Sequence, residues 1–198
     1  MINSHIQCQS VRGLFIARFQ PIHRGHIEVI REILQRVDEL LVVIAAAQIS
    51  HTLKNPLTAG ERLEMVRNAL IEAKIPMHRV WILPAQDIFD NALWVTHLKR
   101  LLPPFDVMFS NNPFTINLFK EAGLKTERTG VYEREKYSAT AIRQAIIDQE
   151  PIDQNVYPST IELLNQWKIR ERLLSIVITD EPEQSKSETA GTELTKGH

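Results

Sequence analysis

The sequence predicts an α/β fold, in which a single Rossmann-like domain holds an open parallel sheet flanked by helices. Apolar segments with strand character alternate with amphipathic helical segments along most of the chain, and short joints connect them. The length of 198 residues accommodates little more than one domain of ordinary size. Hydrophobic residues make up 43% of the chain and charged residues 24%, which is sufficient for the buried core of a globular protein.

The first βαβ unit occupies residues 11–47. Val11 to Ala17 is an apolar segment that predicts a strand, and the strand ends at a turn containing Pro21. Residues 26–37 carry apolar side chains at helical spacing and charged side chains on the opposite face, which predicts an amphipathic helix. Leu40 to Ala47 is continuously apolar, a pattern typical of a parallel strand that is covered on both faces.

The alternation of strands and helices continues to about residue 123. Thr58 and Glu61 have the spacing of a capping box, which marks the start of a helix. The expected elements are a helix from Thr58 to about Lys74, a strand at Val80–Leu83, a helix at Asn91–Leu102, a strand at Phe105–Ser110 and a helix from about Thr115 to Ala122 with Gly123 as its cap. In open sheets of this kind, ligands bind at the carboxyl ends of the strands.

The last part of the chain is expected to be helical and then disordered. Two helices are predicted at residues 139–148 and 159–175, the second behind a capping box formed by Ser159 and Glu162. From Thr179 onward a single leucine is the only large apolar residue. We therefore divide the chain into a short polar N-terminal extension (1–10), one domain (11–175) and an acidic tail that we expect to be disordered (176–198).

Composition excludes several classes of function. The net charge is −1, so no general basic field favours nucleic acid or an anionic membrane, and we expect neither as a partner. The longest apolar run is far shorter than the roughly 20 residues of a membrane span, and the N-terminus lacks the apolar stretch of a signal peptide. The single cysteine, Cys8, cannot form an internal disulfide, which favours a cytoplasmic location. Neither GxGxxG nor GxxxxGK[ST] occurs, so a site for phosphate needs another design.

The most informative segment is RFQPIHRGH, residues 18–26, because it lies where the first strand ends and the first helix begins. Backbone amides at a helix start already favour an anion. His23 and His26 add two imidazoles that can donate hydrogen bonds to phosphate oxygens, and Gly25 leaves room for a phosphate to approach. Two surface histidines are the ordinary alternative for this spacing alone. A zinc site is disfavoured because the pattern offers no third ligand.

A second candidate anion site is the segment YSATAIR, residues 137–143, at the start of a late helix. The hydroxyl groups of Ser138 and Thr140, the amides of the helix start and the guanidinium of Arg143 together suit a phosphate. An ordinary serine-capped helix with an exposed arginine is the alternative.

The two segments together resemble the motifs of the nucleotidylyltransferase superfamily, whose members carry H-x-G-H after the first strand and S-x-T-x-I-R near a late helix. Further strings narrow the resemblance to the archaeal-type nicotinamide mononucleotide (NMN) adenylyltransferases. They are AAAQISHTLKNPLTAGER (45–62), DIFDNALWV (87–95), LPPFDVMFSNNP (102–113) and REKYSATAIR (134–143). The resemblance implies the nucleotidylyltransferase fold and the reaction of ATP with NMN to give NAD and pyrophosphate. It also implies Mg²⁺ as the companion of ATP and a homo-oligomer, often a hexamer.

The resemblance also implies which residues form the site. Contacts to the ATP phosphates with a catalytic role are implied for Arg18, His23 and His26. Other contacts to ATP are implied for Phe19, Gln20, Lys54, Asn112, Ser138, Thr140 and Arg143. Contacts to NMN are implied for Asp87, Ile88, Asn91 and Trp94, with Trp94 stacked on the nicotinamide ring. Without the resemblance, core packing is the better interpretation of Trp94, and helix capping is an alternative for Asp87 and Asn91.

Three positions differ from the family pattern, since Ala17, Asn111 and Ala139 stand where glycine is usual. We expect these side chains to affect efficiency rather than the class of reaction. Two alternative functions stay open at this point. One is an adenylyltransferase for another phosphorylated acceptor, such as pantetheine phosphate or FMN, and the other is a catalytically silent nucleotide-binding protein.

Overall fold

A computed structural model describes residues 10–130 and 137–180 of the chain. The predicted N-terminal extension, except Ser10, and residues 181–198 of the predicted tail lie outside the described residues. The strands of the sheet are β1 (Arg12–Ala17), β2 (Glu39–Ile44), β3 (Val80–Pro84), β4 (Val107–Phe109) and β5 (Lys125–Glu127). The helices are α1 (Arg24–Ile33), α2 (Ala59–Glu72), α3 (Asn91–Leu101), α4 (Pro113–Glu121), α5 (Ala139–Asp148), α6 (Pro158–Gln166) and α7 (Ile169–Asp180), and a short 3₁₀ helix spans Met77–Arg79.

The sheet is parallel throughout and has the strand order β3-β2-β1-β4-β5. Leu14 in β1 is opposite Leu41 on one side and Met108 on the other. The order reverses between β1 and β4, which makes the carboxyl ends of these two strands a topological switch point. The prediction of an open parallel sheet flanked by helices is confirmed.

Two hydrophobic clusters cover the two faces of the sheet. In β2, Leu40, Val42 and Ile44 pack into the cluster that contains the apolar face of α1. Leu41 and Val43 point to the opposite face and pack into the other cluster. The strand is therefore buried on both sides, which explains its continuous apolar sequence.

Some predicted boundaries differ from the structure. The strand β5 was not expected, because its residues are polar and only three in number. The single helix predicted at 159–175 is two helices, α6 and α7, separated at Lys168, whose φ of +51° is left-handed. Residues 176–180 belong to α7, so the predicted start of the disordered tail at residue 176 is too early.

The two predicted capping boxes have different outcomes. Thr58 and Glu61 form theirs, since each side chain accepts a hydrogen bond from the other residue's backbone N–H. The Ser159 box is wrong, because Tyr157 is the N-cap of α6 and the backbone N–H of Ser159 donates to Glu72 of α2. Within the described ranges, no helix combines the length and the apolar character that a membrane span requires.

Candidate active site

The start of α1 is built from two histidines that cap each other. His23 is the N-cap, and its Nδ1 accepts a hydrogen bond from the backbone N–H of His26 at 3.3 Å. In return, Nδ1 of His26 accepts from the backbone N–H of His23, also at 3.3 Å. Since Nδ1 is an acceptor in both rings, the proton of each neutral imidazole lies on Nε2. Helix capping therefore leaves one N–H donor free on each histidine.

Both histidines are neutral at physiological pH. Their rings are stacked with centroids 3.6 Å apart, and Phe19 packs against His26 with centroids 4.9 Å apart. Burial lowers the pKa of His23 to about 4. Burial, together with the neighbouring His23, lowers the pKa of His26 well below its ordinary value of 6.5. The pair can thus donate hydrogen bonds to a phosphate, but positive charge has to come from other residues.

Positively charged side chains line a cavity of about 190 Å³ on one side of the histidines. Its walls are Arg18, Phe19, Gln20, His23, His26, Lys54, Ala139, Thr140 and Arg143. Arg143 donates to the backbone carbonyl of Gln20 at 2.8 Å and to the hydroxyl of Thr140 at 3.1 Å. The cavity therefore joins the segment before α1 to the segment that begins α5, although more than a hundred residues separate them in the sequence. Three cationic side chains and two helix N-termini meet there, an arrangement that favours a polyphosphate.

A second cavity, of about 310 Å³, lies on the other side of the histidines at the switch point between β1 and β4. Its described walls are Phe15, Ala17, His23, Gly25, His26, Val29, Ser110, Asn111, Asn112, Thr129, Gly130 and Tyr137. Among these residues, which border the undescribed segment 131–136, none is acidic and none is a lysine or arginine. Asn111 donates to Thr129 and Gly130, and Asn112 caps α4 through its Oδ1. These hydrogen bonds of Asn111 connect the loops after β4 and β5, and Asn111 is not among the described residues with positive φ. An uncharged cavity next to a cationic one suits a nucleoside attached to phosphates.

Two of the predicted ATP contacts have structural tasks. Gln20 is buried, and its side-chain amide donates to the carbonyl of Leu57 and accepts from the N–H of the same residue. The Phe19 side chain is likewise buried, beneath His26. Because both side chains are buried, only the backbone of Phe19 and Gln20 can face a ligand in the cationic cavity.

The predicted NMN residues lie apart from both cavities, at the carboxyl end of β3. Trp94 is half-buried; its indole N–H lies 3.4 Å from Oδ1 of Asp87, and its ring meets that of Phe119 edge-on. Asp90 caps α3, so the capping alternative for Asp87 and Asn91 does not hold. The structure thus brings Asp87 and Trp94 together at the same edge of the sheet as the histidines, two strands away.

Arg62 and Gln48 were not predicted from the sequence. Arg62 is completely buried and donates to backbone carbonyls of the loops after β1 and β2. Gln48 forms two hydrogen bonds with the backbone of Asp87. The signal for Arg62 was present in the sequence, since it lies on the apolar face of α2 together with Met65, Val66 and Ala69.

Comparison with known proteins identifies a matching family and several similar proteins. The sequence model of the cytidylyltransferase-like family matches residues 14–145. The nicotinamide-nucleotide adenylyltransferase of Archaeoglobus fulgidus is 43% identical over 169 residues, which covers 84% of this chain and 97% of that protein. The nicotinamide-nucleotide adenylyltransferase of Methanothrix thermoacetophila is 44% identical over 165 residues, with 83% and 95% covered.

A solved structure with a similar fold is that of a bifunctional NMN adenylyltransferase/ADP ribose pyrophosphatase from Francisella tularensis, complexed with AMP and a manganese ion. The TM-score is 0.73 and the sequence identity 22%, and the match covers 85% of this chain and 52% of that chain. This chain therefore spans about half the length of that protein, and at this identity the likeness concerns the fold alone.

Proposed function

Since the chain belongs to the cytidylyltransferase-like family and is a close relative of the archaeal nicotinamide-nucleotide adenylyltransferases, we propose that it transfers the AMP group of ATP to NMN. The products are NAD and pyrophosphate, which makes the protein an enzyme of NAD biosynthesis. The observation that carries the proposal is the cationic cavity in which His23, His26, Thr140 and Arg143 come together beside an uncharged cavity.

The reaction is an in-line displacement at the α-phosphorus of ATP. An oxygen of the NMN 5′-phosphate forms the new bond to phosphorus, and the bond to the bridging oxygen of the β-phosphate breaks, so that pyrophosphate leaves with that electron pair. The attacking phosphate is already anionic, so no base has to remove a proton from it. Catalysis then depends on positioning and on stabilisation of the charge that develops on the phosphates.

The residues of the cationic cavity divide this work. Arg18, Lys54 and Arg143 supply the positive charge for the β- and γ-phosphates, and the hydroxyls of Ser138 and Thr140 add contacts at the start of α5. The Nε2–H groups of His23 and His26 lie between the two cavities and donate to the α-phosphate, where the bond changes occur. Because both rings are neutral, their role is directional hydrogen bonding rather than charge neutralisation.

The uncharged cavity at the switch point holds the adenosine, with Asn112 at its edge. The acceptor NMN contacts Asp87, Ile88, Asn91 and Trp94, and Trp94 stacks on the nicotinamide ring. The closeness of the Asp87 carboxylate and the Trp94 indole supports this assignment. A homo-oligomeric state and a cytoplasmic location are further parts of the proposal.

Mg²⁺ fits this site as a companion of the nucleotide. In the described part of the chain neither cavity wall contains Asp or Glu, and no group of three potential ligands from His, Cys, Asp and Glu occurs. Mg²⁺ would enter this site bound to ATP, and Arg18, Lys54 and Arg143 would hold the phosphates that carry it. When bound, Mg²⁺ neutralises charge on the β- and γ-phosphates.

The test is to incubate the purified protein with ATP, Mg²⁺ and NMN and to measure NAD by chromatography and pyrophosphate by an enzymatic assay. We expect the two products in equal amounts. The same assay with pantetheine phosphate or FMN as acceptor examines the alternative acceptors. Pyrophosphate release that requires another acceptor, or ATP binding with no product from any of them, contradicts the proposal.

A further inference from the structure

Arg62 of α2 is a buried cation that is surrounded by backbone carbonyls. Its exposed fraction is 0%, and in the described part of the chain no carboxylate lies within ion-pair distance of it. Neighbouring Glu61 is paired instead with Arg172 of α7. A guanidinium in this position loses its hydration without gaining a counter-ion, which is unfavourable unless hydrogen bonds replace the water.

The hydrogen bonds of Arg62 reach two loops that end at the site. Nη1 donates to the carbonyl of Arg18, after β1, at 3.2 Å and to the carbonyl of Ala45, after β2, at 2.7 Å. Nη2 donates to the carbonyl of Ala46 at 3.0 Å and to the carbonyls of Ala47 and Ile49 at 3.5 Å. The five donors of a guanidinium have fixed directions, so these carbonyls are held at fixed positions relative to one another.

Gln48 extends this connection to the end of β3. It belongs to the loop that Arg62 holds, and its amide Nε2 donates to the carbonyl of Asp87 at 2.8 Å. Its Oε1 accepts from the N–H of Asp87 at 3.0 Å. The carboxylate of Asp87 is in turn the group that lies near the indole of Trp94. A continuous set of contacts therefore runs from Arg18, at the cationic cavity, to Trp94.

We infer that Arg62 is a positioning residue of the active site, which fixes the loop carrying Arg18 relative to the loop that holds Asp87 through Gln48. This inference rests on the proposed function, since it assigns Arg18 to ATP and Asp87 to NMN. Arg62 lines neither cavity, so we assign it to positioning rather than to contact with a substrate. Burial lowers its pKa to about 10, while Asp87 and Glu61 favour its charge and Arg18 disfavours it, so Arg62 remains a cation at neutral pH.

The test compares Arg62→Lys with Arg67→Lys, a control on the exposed face of the same helix. Lysine keeps the charge but lacks the fork that holds two loops. We expect hydrogen exchange without substrates to become about tenfold faster in peptides covering residues 17–20 and 45–50, with α2 and the sheet unchanged. We also expect kcat to fall roughly 100-fold, because small displacements of reacting groups are costly, while KM for ATP changes less than about threefold. Arg67→Lys leaves both properties unchanged.

A second variant, Gln48→Ala, cuts the connection at an exposed position and leaves the fold intact. We expect KM for NMN to rise about tenfold, which is the loss of roughly one or two hydrogen bonds, with KM for ATP unchanged. Wild-type exchange in residues 17–20 and 45–50 of Arg62→Lys overturns the inference, as does faster exchange throughout the chain. An unchanged KM for NMN in Gln48→Ala also overturns the inference. If Arg62→Lys does not fold, the KM for NMN of Gln48→Ala alone decides whether the inference holds. A wild-type protein that forms no NAD refutes the proposed function, whereas the exchange measurement still judges Arg62.

Discussion

The two halves of the candidate site are built differently. On the phosphate side, Nδ1 of His23 and Nδ1 of His26 each accept a hydrogen bond from a backbone N–H, and Arg143 donates to Gln20 and Thr140. On the acceptor side, Asn91 is exposed, and a single contact of 3.4 Å joins Trp94 to Asp87. Side chains that are fixed before the substrate arrives contribute most to the rate of the chemical step, whereas exposed side chains contribute to binding.

This difference makes opposite predictions for substitutions in the two halves. Changes on the phosphate side are expected to lower kcat, because they remove contacts that matter in the transition state. Changes on the acceptor side are expected to raise KM for NMN and to leave kcat nearly unchanged.

The largest effect is expected for His26→Ala. Loss of its Nε2–H removes a donor to the α-phosphate, and we expect kcat to fall roughly 10²- to 10³-fold with little change in KM. His51→Ala is the matched control, since His51 is exposed, lines neither cavity and is bonded to Ser50. Steady-state kinetics of the two variants decide the matter, and near-normal turnover in His26→Ala means that this histidine only caps the helix.

Gly25→Ala examines how closely the start of α1 is packed. A Cβ at this position lies 3.0 Å from Cβ of Tyr137 and 3.2 Å from Nδ1 of His23, so one of them has to move. Overpacking of this kind costs about 1–3 kcal/mol, and we expect kcat/KM for ATP to fall about tenfold or more. The control is Gly60→Ala in α2, where nothing lies within 4 Å of the new methyl group. That change should leave kcat/KM unaltered and raise the free energy of unfolding by about 0.5 kcal/mol.

The neutral histidines predict a pH dependence of stability. The folded state holds the pKa of His23 near 4, whereas the unfolded chain has a pKa near 6.5, so between these values the unfolded state binds more protons. The contribution of His23 to the free energy of unfolding should therefore be complete above pH 6.5 and should decrease as the pH falls toward 4. We expect a contribution of about 1–3 kcal/mol from this residue. Urea unfolding at pH 4.5 and pH 7 measures it in the wild type and in His23→Asn, which keeps a capping oxygen but does not titrate. An equal pH dependence in both proteins is the contrary result.

The smallest effect is expected for Asn91→Ala on the acceptor side. The loss of one hydrogen bond to NMN corresponds to about 0.5–1.5 kcal/mol, so KM for NMN should rise about two- to tenfold while kcat stays within a factor of two. Thr96→Ala, an exposed position farther along α3, provides the control. A large fall in kcat for Asn91→Ala removes the distinction between the two halves.

The sequence was sufficient to predict most of the fold and to single out the two segments that meet at the cationic cavity. Helical periodicity located α1 and a continuous apolar run located β2, whereas β5 has three polar residues and neither signal. The two phosphate segments were recognised because each places polar side chains at a helix start. That His23 and His26 cap each other, and therefore keep Nε2–H free, depends on ring orientations that no pattern of residue types specifies.

The features that the sequence did not predict depend on tertiary contacts. Gln20 was expected to contact ATP, but its partner Leu57 is 37 residues away in the sequence, and the pairing arises only when the two loops meet. Arg62 could be noticed as a cation on an apolar helix face, but its carbonyl partners could not be predicted, because they depend on how the loops after β1 and β2 turn.

A crystal structure with a non-hydrolysable ATP analogue examines most directly how the site holds its nucleotide. We expect the α-phosphate within hydrogen-bond distance of Nε2 of His23 or His26, with both Nδ1 atoms still accepting from the backbone and with Arg143 and Lys54 at the outer phosphates. A triphosphate bound elsewhere, or histidine rings that rotate away from the helix start to reach it, contradicts this arrangement.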